Sequence, residues 1–250
     1  MTPSLHPAGQ LEICAETVQA CSAATEGGAH RIEICSALAQ GGLTPSHALI
    51  HSAIEAGNGL PVHVLLRPRG GNFIYSEVEF KLICEDLEHS AALGVSGFVV
   101  GFLNPDGAID EARTAAIVKL AQGREVTFHR AFDHARDLSE ALEHIIALGC
   151  HRVLTSGGKP TVREGMHTIA ALANQAAGRI CIAAGGGVTP AVAAELLRLA
   201  KVDLHVSLRR RTRHYAQTAN DPLWDSNAEP AAISSSDIQR LAALLAVPAH

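Results

Sequence analysis

The 250-residue chain is poor in aromatic side chains, at 4% of residues, and it lacks long apolar runs and blocks of basic residues. No apolar stretch approaches the ~20 residues that a membrane-spanning helix needs. Residues 1–10 show neither the basic nor the apolar segment of a signal peptide. The net charge is −5, and the one basic cluster, at residues 209–213, is too short to indicate a nucleic-acid surface. We therefore expect a cytoplasmic protein that binds neither membranes nor nucleic acid.

The cysteines show no Cys-x-x-Cys spacing, and a chain of this length can bury a core without disulfide bonds. We therefore interpret all six as reduced thiols, which is typical of cytoplasmic proteins. They are Cys14, Cys21, Cys35, Cys84, Cys150 and Cys181.

Strand-like and helix-like runs alternate about eight times along the chain. The strands are predicted at residues 11–16, 31–36, 61–67, 97–102, 125–130, 152–156, 180–184 and 203–208. Strict alternation predicts a parallel sheet with right-handed crossovers. Eight units in 250 residues favour a single (β/α)8 TIM barrel over residues 1–250, with an open doubly wound sheet as the alternative. An irregular polar loop is predicted at about 209–236, before a last helix at 237–246.

Two helix starts carry capping signals. Thr44 followed by Pro45 predicts an N-cap and a first helical residue. Ser76 with Glu79 three residues later predicts a capping box.

Several predicted strands have one apolar face and one face of polar or ionisable residues. Strands of a parallel sheet that is covered on both sides are normally apolar throughout. The alternating polar positions therefore predict a polar barrel interior, with a site at the carboxyl ends of the strands. These positions are Glu12, Cys14, Glu33, Cys35, His63, Arg67, Thr127, His129, His205 and Ser207.

Residues at the predicted strand ends could bind a small anion. Arginine suits bidentate recognition of carboxylate or phosphate, and a glycine-rich turn before a helix lets backbone amides approach an anion. The alternative is that the arginines pair with Glu12, Glu33 or Asp133 to neutralise the interior. The candidate anion-binding residues are Arg67, Arg69, Ser156, Gly185, Gly186, Gly187 and His205.

His129 is the best candidate for acid–base chemistry, because it faces the interior and imidazole exchanges protons near neutral pH. Asp133 either orients His129 or holds Arg130. Glu12 and Glu33 are either general bases or partners of the arginines. A hydrogen-bonded core histidine is the competing interpretation of His129.

Cys14 and Cys35 occupy matching positions on adjacent predicted strands, which lie roughly 5 Å apart. Paired thiolates select Cu(I) or zinc, and a histidine among His63, His129 and His205 could complete such a site. The alternative is that both are small core residues, since free cysteine is among the most buried residue types.

Seven motifs in order resemble those of the CutC family. They are Leu-Glu-Ile-Cys-Ala-Glu (11–16), Arg-Ile-Glu-Ile-Cys-Ser-Ala-Leu (31–38), Gly-Gly-Leu-Thr-Pro-Ser (41–46), Arg-Pro-Arg-Gly-Gly-Asn-Phe (67–73), Thr-Phe-His-Arg-Ala-Phe-Asp (127–133), Leu-Thr-Ser-Gly-Gly (154–158) and Gly-Gly-Gly-Val (185–188). The resemblance implies a (β/α)8 barrel, a cytoplasmic copper-homeostasis protein that is often a dimer, and Cu(I) ligation by Cys14 and Cys35.

Two functions are therefore expected. The first is binding of Cu(I) through the paired cysteines in copper homeostasis. The alternative is a TIM-barrel enzyme of isomerase, epimerase or lyase type that acts on a small anionic, possibly phosphorylated, metabolite.

Overall fold

The computed structural model describes residues 9–207 and 234–246, and in them eight parallel strands close into a barrel. The strands are β1 (Leu11–Ala15), β2 (Arg31–Ile34), β3 (Val62–Leu65), β4 (Gly97–Val100), β5 (Glu125–Phe128), β6 (Arg152–Thr155), β7 (Cys181–Gly185) and β8 (Asp203–Val206). The helices are α1 (Val18–Glu26), α2 (His47–Gly57), α3 (Glu77–Ala92), α4 (Glu111–Leu120), α5 (Leu138–Ala147), α6 (Val162–Ala176), α7 (Pro190–Leu199) and α8 (Ser235–Leu245). This arrangement confirms the predicted (β/α)8 barrel and excludes the open sheet.

The strands pair in chain order, and β8 returns to β1 through the pairing of Ile13 with Val206. All eight pairings are parallel, so the carboxyl ends of the strands converge at one end of the barrel. Residues from β1, β2, β3, β5 and β8 that are distant in sequence therefore meet there.

One of the two predicted helix starts is confirmed and the other is wrong. The hydroxyl of Ser76 accepts from the amide of Glu79, whose carboxylate accepts from the amide of Ser76, as a capping box requires. Helix α2 begins at His47 and is capped by Ser46. Thr44 instead lies in the β2–α2 loop, where its hydroxyl accepts from the amide of Arg67 at 2.9 Å.

The apolar core lies between the strands and the helices around them. Residues such as Ile13, Ile32 and Phe98 are fully buried there. Because side chains alternate along a strand, their neighbours point into the barrel.

A buried ionic network fills the amino-terminal end of the barrel. Arg31 donates to Glu12 at 2.8 Å and approaches Asp203 at 3.3 Å, and Arg152 contacts the same two carboxylates. Glu12 and Arg152 lie on β1 and β6, so these contacts cross the barrel and confirm that the polar face points inward. Arg31, Arg152 and Asp203 are the first residues of their strands, which places the network opposite the end where the loops form a site.

The predicted polar loop at 209–236 lies largely outside the described residues, except that helix α8 already includes Ser235 and Ser236. Among the helices that the structure describes, none is both long and apolar enough to cross a membrane.

Candidate functional site

A cavity of about 340 Å³ opens at the carboxyl ends of the strands. This volume is in the usual range for a small-molecule site. The cavity is lined by Cys14, Glu33, Leu38, Gly41, Leu65, Arg67, Phe73, His129, Arg130, Leu154, Gly186, Gly187, Val188, His205 and Ser207.

Glu33 and His205 form the acidic and basic groups of the cavity floor, and Glu12 lies beneath them. Nδ1 of His205 is 2.6 Å from Oε1 of Glu12 and 3.9 Å from Oε2 of Glu33. Burial opposes ionisation of Glu12, but the charge of Arg31 and the hydrogen bond from His205 lower its pKa to about 2. Burial raises the pKa of Glu33 to about 7. The two predicted glutamates therefore differ in kind, because Glu12 is a fixed carboxylate and Glu33 exchanges a proton near neutrality.

Cys14 and Cys35 meet at one side of this floor, with Sγ atoms 3.7 Å apart. The strand register pairs Cys14 with Glu33 rather than with Cys35, so the predicted matching of positions is wrong by two residues. The thiols are nevertheless in contact, and Cys14 also lies 3.6 Å from Oε1 of Glu33. The hydrogen bond to Cys35, together with burial, raises the pKa of the Cys14 thiol well above its usual value. Cys14 lines the cavity, whereas Cys35 is fully buried behind it.

His129 lines the cavity as a neutral imidazole. Its Nδ1 accepts from the amide of Ala131 at 3.1 Å, so the ring proton is on Nε2. Burial, together with the charge of Arg67, lowers the pKa of His129 to about 3. Nε2 is buried and has no hydrogen-bond partner among the described residues. His129 is thus suited to donate a hydrogen bond to a ligand rather than to act as a base at neutral pH.

The two arginines of the β3–α3 loop have different roles. Arg67 lines the cavity, and its guanidinium donates to the backbone carbonyls of Gln40, Gly42 and Gly71 at 2.9–3.0 Å. Arg67 therefore holds two loops together and makes no hydrogen bond to the carboxylates proposed as its partners. Arg69 is not among the residues that line the cavity, because its guanidinium pairs with Glu79 and four groups of its own loop.

Asp133 holds Arg130 and does not orient His129. Its carboxylate accepts from Nε of Arg130 at 2.8 Å, from the amide and hydroxyl of Ser156 at 3.0–3.1 Å, and from the amide of Gly158 at 2.9 Å. Ser156 in turn accepts from Nη2 of Arg130 at 2.6 Å. Neither Asp133 nor Ser156 lines the cavity, so both position Arg130, which does.

The glycines after β7 bring backbone close to Arg130. A methyl group on Gly186 would lie 3.3 Å from Nη1 of Arg130, and Gly186 has φ +114°. Gly186 and Gly187 line the cavity, and helix α7 begins three residues later with Thr189 as its N-cap. Gly185 is different, since it ends β7 and makes room for Leu154 and His205.

The structure thus brings most of the predicted residues to the cavity surface. The predicted residues that do not line the cavity are Glu12, Cys35, Arg69, Asp133, Ser156 and Gly185. Arg130 and Phe73 also line the cavity and were not predicted to do so. The ring of Phe73 lies 4.9 Å from that of His129. Arg130 directly follows the inward-facing His129, so strand alternation predicts that its side chain points outward. The strand ends before Arg130, however, and a 3₁₀ helix begins there, so the alternation no longer applies. The sequence signal for Arg130 is Asp133, an acidic residue three positions later that can hold the guanidinium in place.

A family model, relatives of known sequence and a solved structure that are similar to this chain carry the same family name. Residues 9–210 match the family model described as the CutC family. A CutC family protein of Bacteroides thetaiotaomicron is 46% identical over 179 residues, which are 72% of each sequence. One of Xylella fastidiosa is 44% identical over 200 residues, covering 80% of this chain and 74% of that protein. A crystal structure of a protein from Streptococcus agalactiae, which is named as the copper homeostasis protein CutC, superposes with a TM-score of 0.75. The two sequences are 31% identical, and the match covers 79% of this chain and 98% of that chain. The chain therefore belongs to the CutC family.

Proposed function

We propose that the protein binds Cu(I) through Cys14 and Cys35 and serves copper homeostasis in the cytoplasm. The observation that carries this proposal is the 3.7 Å contact between the two sulfur atoms at the side of the cavity floor. Two thiols in contact provide the soft ligands that Cu(I) prefers. The name of the similar protein from Streptococcus agalactiae, which refers to copper homeostasis, supports the same assignment.

The surroundings of the two thiols fit a singly charged ion. Cys35 belongs to a small apolar cluster with Leu65 and Val99, which keeps water and hard ligands away from its sulfur. Cys14 opens into the cavity and gives the ion a path to solvent. The neighbouring carboxylates Glu33 and Glu12 raise the pKa of His205 although burial opposes this, which favours the protonated form of His205 beside the two thiols.

An anaerobic titration of the reduced protein with Cu(I) against a coloured chelator tests this proposal. We expect one tightly bound Cu(I) in the wild type and loss of that binding in Cys14→Ser and in Cys35→Ser. Cys84→Ser is the matched control, because it removes a half-buried thiol on α3, away from the cavity. Equal Cu(I) binding in all four proteins would refute the proposal.

A second function is favoured by a separate observation, the placement of Arg130 against the glycine turn. The guanidinium is fixed by Asp133 and Ser156 while Nη1 faces Gly186. A fixed guanidinium beside a glycine turn and a helix amino terminus is a suitable binding site for a carboxylate or phosphate group. We propose, as the alternative, an isomerase, epimerase or lyase that acts on a small anionic, possibly phosphorylated, metabolite.

Thermal unfolding with inorganic phosphate and with a panel of small phosphorylated and carboxylated compounds tests this alternative. A ligand present at about ten times its Kd adds roughly 1.4 kcal/mol to the stability of the folded state. We expect Arg130→Gln to remove the stabilisation and Arg136→Gln, which changes an exposed arginine paired with Asp106 and Glu140, to retain it. Stabilisation that persists in Arg130→Gln would contradict the assignment of Arg130 as the anion-binding group.

A further inference from the structure

The cavity floor also brings together three different metal-binding side chains. One ligand atom each from Cys14, Glu33 and His205 lies within 4.8 Å of the other two. All three residues line the cavity. We propose that they form a second metal site, which takes a divalent transition-metal ion of the Zn²⁺ type and is distinct from the paired-thiol site of Cys14 and Cys35.

The donor set selects the class of ion. Thiolate sulfur, imidazole nitrogen and carboxylate oxygen are the three ligand types that zinc uses in proteins. Ca²⁺ and Mg²⁺ prefer oxygen ligands alone, and Cu(I) prefers sulfur. A mixed set with one atom of each kind therefore fits a divalent ion of intermediate softness.

Glu33 gives an independent indication that a ligand belongs here. Its side chain is 5% exposed, and Oε2 is buried without a hydrogen-bond partner among the described residues. Buried carboxylate oxygens nearly always have a hydrogen-bond partner. A buried oxygen without one at the edge of a cavity is therefore a candidate ligand for an ion. The other oxygen, Oε1, already contacts Cys14 at 3.6 Å, which directs the carboxylate towards the thiol.

One ring nitrogen of His205 is hydrogen-bonded to a carboxylate, as is common in metal-binding histidines. Such a histidine commonly uses one ring nitrogen for the metal and donates the other N–H to a carboxylate. Nδ1 of His205 lies 2.6 Å from Glu12, and Glu12 is itself fixed by Arg31 and Arg152. The ring is therefore held from below, and Nε2 is the nitrogen left to bind an ion once its proton has been displaced.

The charges at this site also balance. A thiolate and a carboxylate together neutralise a dication, which removes most of the cost of burying it. Because three of the described residues supply ligands, a fourth position is open to the cavity, as in catalytic rather than structural zinc sites. His129 and Arg130 line the same cavity, so an oxygen of a bound anion could occupy that position.

The two proposed metal sites share Cys14 and differ in their other ligands. Cys35 belongs only to the Cu(I) site, whereas Glu33 and His205 belong only to the divalent site. The divalent site therefore does not depend on the Cu(I) proposal, and single substitutions separate the two.

Titration of the reduced protein with Co²⁺ under anaerobic conditions tests the divalent site, since Co²⁺ replaces zinc and shows a thiolate charge-transfer band. We expect one Co²⁺ per chain with this band, and displacement by Zn²⁺. Glu33→Gln and His205→Gln should each weaken binding by about tenfold or more. Cys35→Ser should retain Co²⁺ binding while it loses Cu(I), and Cys84→Ser should retain both.

Three results would overturn the divalent site. The first is that the wild type does not bind Co²⁺, and the second is that it binds Co²⁺ without the charge-transfer band. The third is that both Glu33→Gln and His205→Gln bind Co²⁺ with the affinity of the wild type. Circular dichroism of each variant confirms folding, and Glu33→Gln alone is sufficient if His205→Gln does not fold. Loss of Co²⁺ binding in Cys35→Ser would also refute the separation of the two sites.

Discussion

Replacement of His129 by asparagine should change how stability depends on pH. The folded protein keeps His129 neutral with a pKa of about 3, mainly because the ring is buried. The unfolded chain binds a proton at the ordinary pKa of 6.5. As pH falls from 6.5 towards 3, the unfolded state therefore gains a proton that the folded state does not, and the protein loses stability.

The size of this effect follows from the two pKa values. Each pH unit between them corresponds to about 1.4 kcal/mol, so His129 removes about 2 kcal/mol of stability between pH 7 and pH 5. Glu33 acts in the opposite direction, because its pKa is raised to about 7. Its stabilisation is present below the unfolded value of 4.5 and is lost as pH rises through 7. His129 and Glu33 therefore give stability contributions of opposite slope between pH 5 and pH 7.

His129→Asn isolates the histidine contribution. Asparagine is a good N-cap residue and can accept from the Ala131 amide as His129 does. The variant loses the ring contact with Phe73, which lowers stability by the same amount at every pH. Urea unfolding followed by circular dichroism should show the variant gaining about 2 kcal/mol relative to the wild type between pH 7 and pH 5. Parallel curves for the two proteins over this range would refute a buried neutral His129.

Three further substitutions test the scaffold by urea unfolding. Glu12→Gln should cost roughly 3 kcal/mol, the lower end for breaking a buried ion pair, because Arg31 and Arg152 lose one of the two carboxylates that they share and keep only Asp203; a cost below about 1 kcal/mol would contradict the network. Ser76→Ala should cost about 1 kcal/mol through loss of the α3 capping box, and an unchanged stability would show that the cap contributes nothing. Gly165→Ala places a methyl group 1.8 Å from a backbone oxygen of the β6–α6 loop and should cost about 3 kcal/mol or more; full stability would mean that the loop moves freely.

The barrel could be predicted because its signals are local and repeated. Each strand carries its own alternation, and each helix its own apolar stripe, so eight independent segments indicate the same architecture. The boundaries were less predictable. Thr44 looks like an N-cap, but Leu43 pairs with Ser36 across the loop, and the helix begins only after Ser46. Loop pairing of this kind is tertiary and leaves no local pattern.

Strand parity identified the inward-facing residues but not their partners. Arg67 and Arg69 have the same parity, and yet one lines the cavity and the other pairs with Glu79. One alternative from the sequence pairs Arg67 or Arg69 with Glu12, Glu33 or Asp133, whereas the arginines that pair with Glu12 are Arg31 and Arg152. Partner choice depends on the depth of each residue along the barrel axis, which follows from the stagger of the strands and cannot be read from alternation alone.

That depth divides the interior into two layers with different roles. Arg31 and Arg152 begin their strands and neutralise carboxylates at the amino-terminal end, where the burial of charge requires partners. His205, two residues after Asp203 on β8, contacts both layers. Its ring is hydrogen-bonded to Glu12, which belongs to the ionic network, and it lines the cavity beside Glu33. Glu12 therefore joins the structural layer to the chemical one, so that loss of its charge should disturb the orientation of His205 in the cavity as well as the stability of the barrel.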